Sequence, residues 1–386
     1  MPSSNELETS VVVKDSSSLW WNLAQNLDIG FAESYMLQAV ECDDLVKLFQ
    51  IYIRNWSTLG EAGSMYSLPL HLWNQLSRIS NTKDSALKNA SFHYDTSNDI
   101  FLSFLSEDMS YSCALWASPD EPLEAAQRRK VHAIIQKADI NCEHHVLDVG
   151  GGWGFTAIEA VRLTGCRVTA ITLSAEQKRF AERRIQAAGF EDRVEFLLCD
   201  YRDTPPPSKG FYDRIISIEM IEAVGKEFLD EYFRTLGRVL DPIKGKIVIQ
   251  AITFTEKLHE QPKIFYSFLD KYVFPGGYLP SVHQLIDCLS RGSGRRLELD
   301  SLEDIGKHYV KTLRLWREKF IANWDSIQTS FIIKYGPKTK PEMEALRRRW
   351  IYYFSYCQAG FYEGVLGDVI MVASRRPSPA SSFHVL

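Results

Sequence analysis

The sequence predicts an α/β fold built on a mostly parallel sheet with helices on both faces. Three observations predict it. Five short apolar runs (145–149, 167–172, 194–199, 213–218 and 246–252) read as strands. Helical apolar spacings at 155–164, 174–188 and 226–239 separate them, and strands that alternate with helices of this length need crossover connections and pair in parallel. The first run also ends in Asp148 and breaks into Gly150-Gly151-Gly152-Trp153-Gly154 just before a helix, at the kind of edge where open α/β sheets bind ligands.

The elements follow in order. Residues 1–90 form an N-terminal helical region. A polar start gives way to helical spacing around Leu19, Trp20, Leu23 and Leu27, then around Leu45, Leu48, Phe49 and Tyr52, and a polar stretch at 80–91 closes the zone. The catalytic domain occupies 91–376. Its later part, about 256–360, carries aromatic helical stretches broken at Pro275-Gly276-Gly277, at Gly292 and Gly294, and at Gly336-Pro337. The tail at 377–386 is loose.

Composition narrows the function. Hydrophobic residues make up 45% and charged residues 24% of the 386, which suits a folded globular chain. A net charge of −5 argues against a nucleic-acid-coating protein. The seven cysteines are odd in number and not closely paired, so a reducing, cytoplasmic setting fits better than a secreted disulfide framework. No apolar run approaches the ~20 residues that span a bilayer, so any membrane contact is peripheral. Nine Trp within 12% aromatic residues suit either a roomy apolar pocket or a large core. His144-His145 lacks a third nearby ligand, and no metal is expected. Arg347-Arg348-Arg349 reads as a solvated helix face, with contact to acidic lipid headgroups as the alternative.

The motifs point to a nucleotide-like cofactor. Glycines let the backbone approach a ligand closely, and the helix start offers free N–H groups. The spacing G-x-G-x-G puts Phe155 where a dinucleotide fingerprint needs glycine, and no carboxylate ends the second strand to hold a ribose. Both facts argue against a dehydrogenase. Thr172, Leu173 and Ser174 stand there instead, with Ser174 and Gln177 spaced as a capping box. Asp200-Tyr201 ends the third strand, either against a flat ring or as a surface turn before Pro205. Ser217-Ile218-Glu219-Met220-Ile221-Glu222 follows the fourth strand and brings carboxylates to the ligand edge.

These segments occur together with His93-Tyr94-Asp95, Tyr111-Ser112-Cys113-Ala114, Phe274 to Ser281, Gly306 to Tyr309, Thr312 to Trp316, Tyr352-Tyr353-Phe354 and Ala359-Gly360-Phe361. In this order they resemble the cyclopropane-fatty-acyl-phospholipid synthase family of S-adenosylmethionine-dependent methyltransferases over about residues 19–376. The E-M-I-E-A-V-G wording is closest to plant-type members. The resemblance implies a class I methyltransferase (Rossmann-like) fold with a seven-stranded mostly parallel sheet, a shortened helical N-terminal region, and helical insertions forming a lipid pocket. It implies that Tyr111, Ser112, Asp148, Gly150, Gly152, Thr172, Leu173, Gln177, Asp200 and Tyr201 surround S-adenosylmethionine. It further implies that Cys113, Glu222, Ile252 and Tyr309 line a small pocket that holds bicarbonate in bacterial relatives. Gln250 stands where those relatives have His, which alters the anion site.

The expected reaction is transfer of a methylene or methyl unit to the double bond of an unsaturated acyl chain. Positive charge on that chain could be eased by the faces of Tyr309, Phe274, Tyr278 and Tyr353, and bicarbonate or an equivalent anion would then remove a proton. Alternatives are C- or N-methylation of a smaller hydrophobic metabolite or sphingolipid, and a catalytically silent cofactor-binding protein. The sequence leaves a homodimer open.

Overall fold

The computed structural model describes residues 7–25, 27–56, 98–259 and 267–376. The polar stretch at 80–91, the His93-Tyr94-Asp95 motif and the tail from 377 lie outside them. Nine strands are described: β1 (Val11–Val13), β2 (Val40–Cys42), β3 (His145–Val149), β4 (Arg167–Thr172), β5 (Val194–Leu198), β6 (Arg214–Ile218), β7 (Lys246–Phe254), β8 (Leu297–Asp304) and β9 (Leu366–Arg375). The helices are α1 (Ser16–Gln25), α2 (Leu27–Met36), α3 (Leu45–Arg54), α4 (Asn98–Phe104), α5 (Leu123–Lys137), α6 (Phe155–Thr164), α7 (Ala175–Ala188), α8 (Leu229–Val239), α9 (Glu256–His259), α10 (Phe268–Tyr272), α11 (Val282–Gly292), α12 (Lys307–Ala322), α13 (Trp324–Tyr335) and α14 (Lys340–Tyr362).

Seven strands form one sheet in the order β5-β4-β3-β6-β7-β9-β8. The five from β3 to β7 run parallel, and β9 is antiparallel to both neighbours. Side chains of a strand alternate between faces, and here both faces are apolar. Val146, Val168, Ile216, Val248 and Ile370 pack with α5 and α6. Leu147, Ile215, Ile247, Ile249 and Met371 pack with α8 and α11 through Phe233, Leu236, Leu285 and Leu289. Burial on both faces is what an all-parallel centre requires.

β8 falls in the zone expected to be helical, and β9 lies just beyond it. β8 reads Leu297-Glu298-Leu299-Asp300-Ser301-Leu302-Glu303-Asp304, with only its three leucines apolar, and β9 is an apolar run beside a helix of 23 residues. The glycine and proline breaks do end elements: α10 stops at Tyr272, α11 at Gly292 and α13 at Tyr335. α14 starts with a Thr339–Glu342 capping box and packs against α12 through a cluster that includes Phe104, Trp316, Phe320, Trp350 and Phe354.

The N-terminal helices lean on α14. Phe49 meets Tyr352 edge-on at 5.0 Å, and Arg54 pairs with Glu363 at 2.9 Å. Arg348 is buried. Its guanidinium donates twice to Glu41 at 2.6 Å and to the carbonyls of Tyr35 and Val40. Both readings of the Arg347–Arg349 run therefore fail at Arg348, whose charge is consumed inside the protein. Val11–Val13, expected as part of a polar start, pairs with Val40–Cys42 as a two-stranded sheet. Among the described residues no helix is long and apolar enough to cross a membrane.

Candidate active site

The site lies where β3, β4, β6 and β7 end. The chain leaves β3 through a turn in which Gly150, Gly152 and Gly154 have φ of +83°, +52° and +86°. Side chains rarely adopt this region, so glycine is required. A Cβ on Gly150 would also come within 2.8 Å of Met220, and one on Gly151 within 2.9 Å of the Ala170 Cβ. The turn is pinned by Gly150 and Gly151 N–H groups donating to the Ile171 carbonyl.

A cavity opens over this turn. Of the expected cofactor residues, Tyr111, Ser112, Gly150, Gly152, Thr172, Leu173, Gln177 and Tyr201 line it, together with Lys130, Met220 and Glu219. Asp148 and Asp200 do not. The Asp148 carboxyl is buried behind the turn, 3.3 Å from where a Cβ on Gly151 would be, and burial pushes its pKa up to about 7. The Asp200 carboxylate is taken by Arg202 through bonds of 2.7 and 2.8 Å. Ser174 caps α7 by accepting from Gln177 N–H, but the Gln177 side chain does not complete a capping box. Its Oε1 accepts the Thr172 hydroxyl at 2.7 Å instead, which fixes both polar side chains at the end of β4. Gly turn, aromatic edge and fixed polar groups form a cradle that fits an adenosyl cofactor.

Beside the cavity is a buried carboxyl cluster. Glu219 follows β6 with φ of +48°, and its N–H donates to the Gln250 carbonyl. Its Oε1 accepts from the Cys113 backbone N–H at 2.8 Å and from Gln250 Nε2 at 2.7 Å. Its Oε2 accepts the Tyr309 hydroxyl at 2.6 Å. Gln250 Nε2 also donates to Asp368 Oδ2 at 2.8 Å. Asp368 is placed there by register, since β9 sets it opposite Ile252 of β7. Glu222 sits one turn on, where its Oε1 accepts the Ile252 N–H at 2.6 Å.

The five residues expected around the reacting anion thus come together, but around two carboxylates. Cys113, Gln250 and Tyr309 converge on Glu219, and Ile252 serves Glu222. Cys113 contributes its backbone N–H, while its fully buried thiol is pushed well up by desolvation. Burial also raises Glu222 to about 8 and holds Asp368 well above the carboxylate range, helped by the negative charge of Glu219. Burial raises Glu219 as well, opposed by the Tyr309 and Cys113 hydrogen bonds and by Lys130. Lys130, 1% exposed, donates to Ser112 Oγ and supplies the cluster with a positive charge.

Tyr309 stacks on Phe361 at 4.4 Å, and Tyr353 lies 5.8 Å from Phe274 and 2.9 Å, oxygen to oxygen, from Tyr111. Tyr278 belongs to the other face, where its hydroxyl donates to Gln284. Sequence reasoning missed Glu219, Asp368 and Lys130 as site residues. Glu219 was within a quoted motif, and Asp368 is a lone acid at the start of an apolar strand.

The chain is similar to known proteins in sequence and in structure. The model of a family described as mycolic acid cyclopropane synthetase matches residues 81–370. The tuberculostearic acid methyltransferase UfaA1 of Mycobacterium tuberculosis is 36% identical over 358 residues, covering 91% of this chain and 79% of that protein. The cyclopropane-fatty-acyl-phospholipid synthase of Escherichia coli K12 is 32% identical over 344 residues, covering 87% and 80%. Among solved structures, mycolic acid cyclopropane synthase CmaA1 complexed with SAH and CTAB superposes with a TM-score of 0.65 at 27% identity, covering 75% of this chain and 98% of that one.

Proposed function

Because the chain belongs to the mycolic acid cyclopropane synthetase family and is therefore an S-adenosylmethionine-dependent methyltransferase, we propose that it transfers the methyl carbon of that cofactor to the carbon–carbon double bond of an unsaturated acyl chain. The observation that carries this reading is a glycine cradle whose lining residues Glu219 and Tyr111 are hydrogen-bonded to Tyr309 and Tyr353 of a buried aromatic wall. A methyltransferase for an amine or a hydroxyl needs no such wall, whereas an alkene is a weak nucleophile whose attack leaves positive charge on carbon.

S-adenosylmethionine, when bound, supplies a methyl group already activated by its sulfonium. The chain does the rest. Gly150 and Gly152 would let the backbone approach the cofactor, and Thr172, Gln177, Tyr111 and Tyr201 would hold it from the cavity wall they line. Tyr309, Tyr353 and Phe274 belong to one apolar cluster with Phe361. That cluster excludes water and holds the alkene for in-line approach. Each aromatic face eases a nearby positive charge by about 0.5–2 kcal/mol. The acyl pocket is assigned to the segment at about 256–360.

The test follows release of S-adenosylhomocysteine with phospholipid vesicles as acceptor. Release with monounsaturated phospholipid and none with its saturated counterpart is the expected result. Equal release with both would overturn the alkene reading and move the acceptor to a smaller hydrophobic metabolite or a sphingolipid.

A further inference from the structure

The reaction proposed above leaves one step without a base, since a proton must leave before a neutral product forms. Resting on that reading, we infer that the carboxylate of Glu219 is the catalytic base, built into the chain where an exogenous anion would otherwise sit.

Position is the first argument. Of the three carboxylic residues described in the cluster, Glu219 is among those that line the cofactor cavity, and Glu222 and Asp368 are not. Occupancy is the second. The Cys113 N–H, the Gln250 amide and the Tyr309 hydroxyl all point at Glu219 oxygens. These donors come from three separate parts of the chain, and an added anion could reach them only by displacing the side chain. Oε2 accepts a single hydrogen bond, so it keeps a lone pair for a proton.

Backbone geometry is the third argument. Glu219 holds φ of +48°, a region that disfavours a residue with a side chain. Such strain persists where the surroundings over-determine it, and it clusters at working sites. Here three hydrogen bonds to the carboxylate hold it.

Charge is the fourth. Two carboxyls bridged by one amide cannot both ionise readily in a buried site, so the pair carries one proton. Asp368 has one donor, Gln250, while Glu219 has three and the Lys130 charge as well. The proton therefore rests on Asp368 and the negative charge on Glu219. Gln250 is a positioning residue: its Nε2 donates to both carboxyls and fixes their relation.

The step balances without a further reactant. A C–H bond of the transferred methyl, one carbon removed from the cationic carbon, breaks and its electron pair closes the third ring bond. Where a hydride has first shifted to the cationic carbon, the same loss gives an exomethylene double bond instead. In either case the proton forms an O–H bond on Glu219 Oε2. That proton is then lost to solvent.

The experiment compares wild type, Glu219→Gln and Glu219→Gly in carbon-dioxide-depleted buffer, with and without added bicarbonate. Turnover is measured on monounsaturated phospholipid, and binding of ¹³C-labelled bicarbonate is followed by NMR. Wild type is expected to turn over equally in both buffers and to bind no bicarbonate. Glu219→Gln should lose about 100-fold or more in kcat, with cofactor affinity changed only a few-fold. Glu219→Gly should bind bicarbonate in the emptied space and regain part of its activity from it. Saturable bicarbonate binding to wild type, or Glu219→Gln retaining most of its activity, would overturn the inference. Failure of the alkene reading looks different: wild type is inert on lipid in both buffers, and the binding data alone then decide the anion question.

Discussion

The Tyr309 hydroxyl donates to Glu219 Oε2 at 2.6 Å while its ring lies stacked on Phe361. One side chain thus ties the aromatic wall to a carboxylate residue that lines the cofactor cavity. Hydrogen bonds to charged groups are worth about 1.5–3 kcal/mol. Tyr309→Phe keeps the stack and removes the donor, so kcat should fall roughly 10- to 100-fold with cofactor affinity nearly unchanged, and Tm should fall by a few degrees because a buried carboxylate oxygen loses its donor. Steady-state kinetics beside a thermal melt checks this.

Buried carboxyls make the fold sensitive to alkali. Burial raises Glu222 to about 8 and Asp148 to about 7, well above the value near 4 expected in an unfolded chain. The folded state then binds more protons than the unfolded one between those values, so stability is fully present below about pH 4 as far as these groups are concerned and is lost as pH rises through 7 and 8. Tm should fall between pH 6 and pH 9. Glu222→Gln keeps an acceptor for the Ile252 N–H and removes the ionisation, so the decline should be shallower in that variant.

The cradle should tolerate no added carbon at Gly154. A Cβ there would sit 2.9 Å from the Ala181 Cβ, at φ of +86°. Left-handed strain and overpacking together cost about 3 kcal/mol. Gly154→Ala should lower Tm by several degrees and weaken cofactor binding, readable by calorimetry.

Arg348 is expected to hold the N-terminal segment on α14. Losing the guanidinium leaves the buried carbonyls of Tyr35 and Val40 without a donor, at about 1–3 kcal/mol, and the half-buried Glu41 carboxylate without its partner. Arg348→Met should speed hydrogen exchange across residues 7–42 while leaving the parallel sheet protected.

The parallel part of the fold was legible because it repeats one simple pattern. Each strand from β3 to β7 is a short apolar run bounded by turn formers, and each was placed within two residues. β8 and β9 were not legible as strands. Glu298, Asp300, Glu303 and Asp304 give β8 the look of an exposed segment, and only pairing with β9 makes it a strand. The cofactor cradle was legible because glycines at fixed spacing have few other uses. The reacting cluster was legible only in part. Glu219 and Glu222 stand three residues apart in one motif, and nothing in that spacing tells which of them lines the cavity. Asp368 reaches the cluster through an antiparallel pairing more than a hundred residues away in sequence from β7, and no local pattern announces that. Lys130 follows Arg128 and Arg129 on α5 and looks like part of a solvated basic face until the helix is docked.

The central claim is that the cofactor's methyl carbon ends on an alkene carbon and that a proton then leaves. Purified protein incubated with S-adenosylmethionine carrying a fully deuterated methyl group and with monounsaturated phospholipid tests this most directly, with the acyl chains read by mass spectrometry. The account predicts acyl chains that have gained the labelled carbon with two deuteriums, the third having been taken by the base. Acyl chains that keep all three deuteriums, or acyl chains without label from protein that binds the cofactor normally, would contradict it.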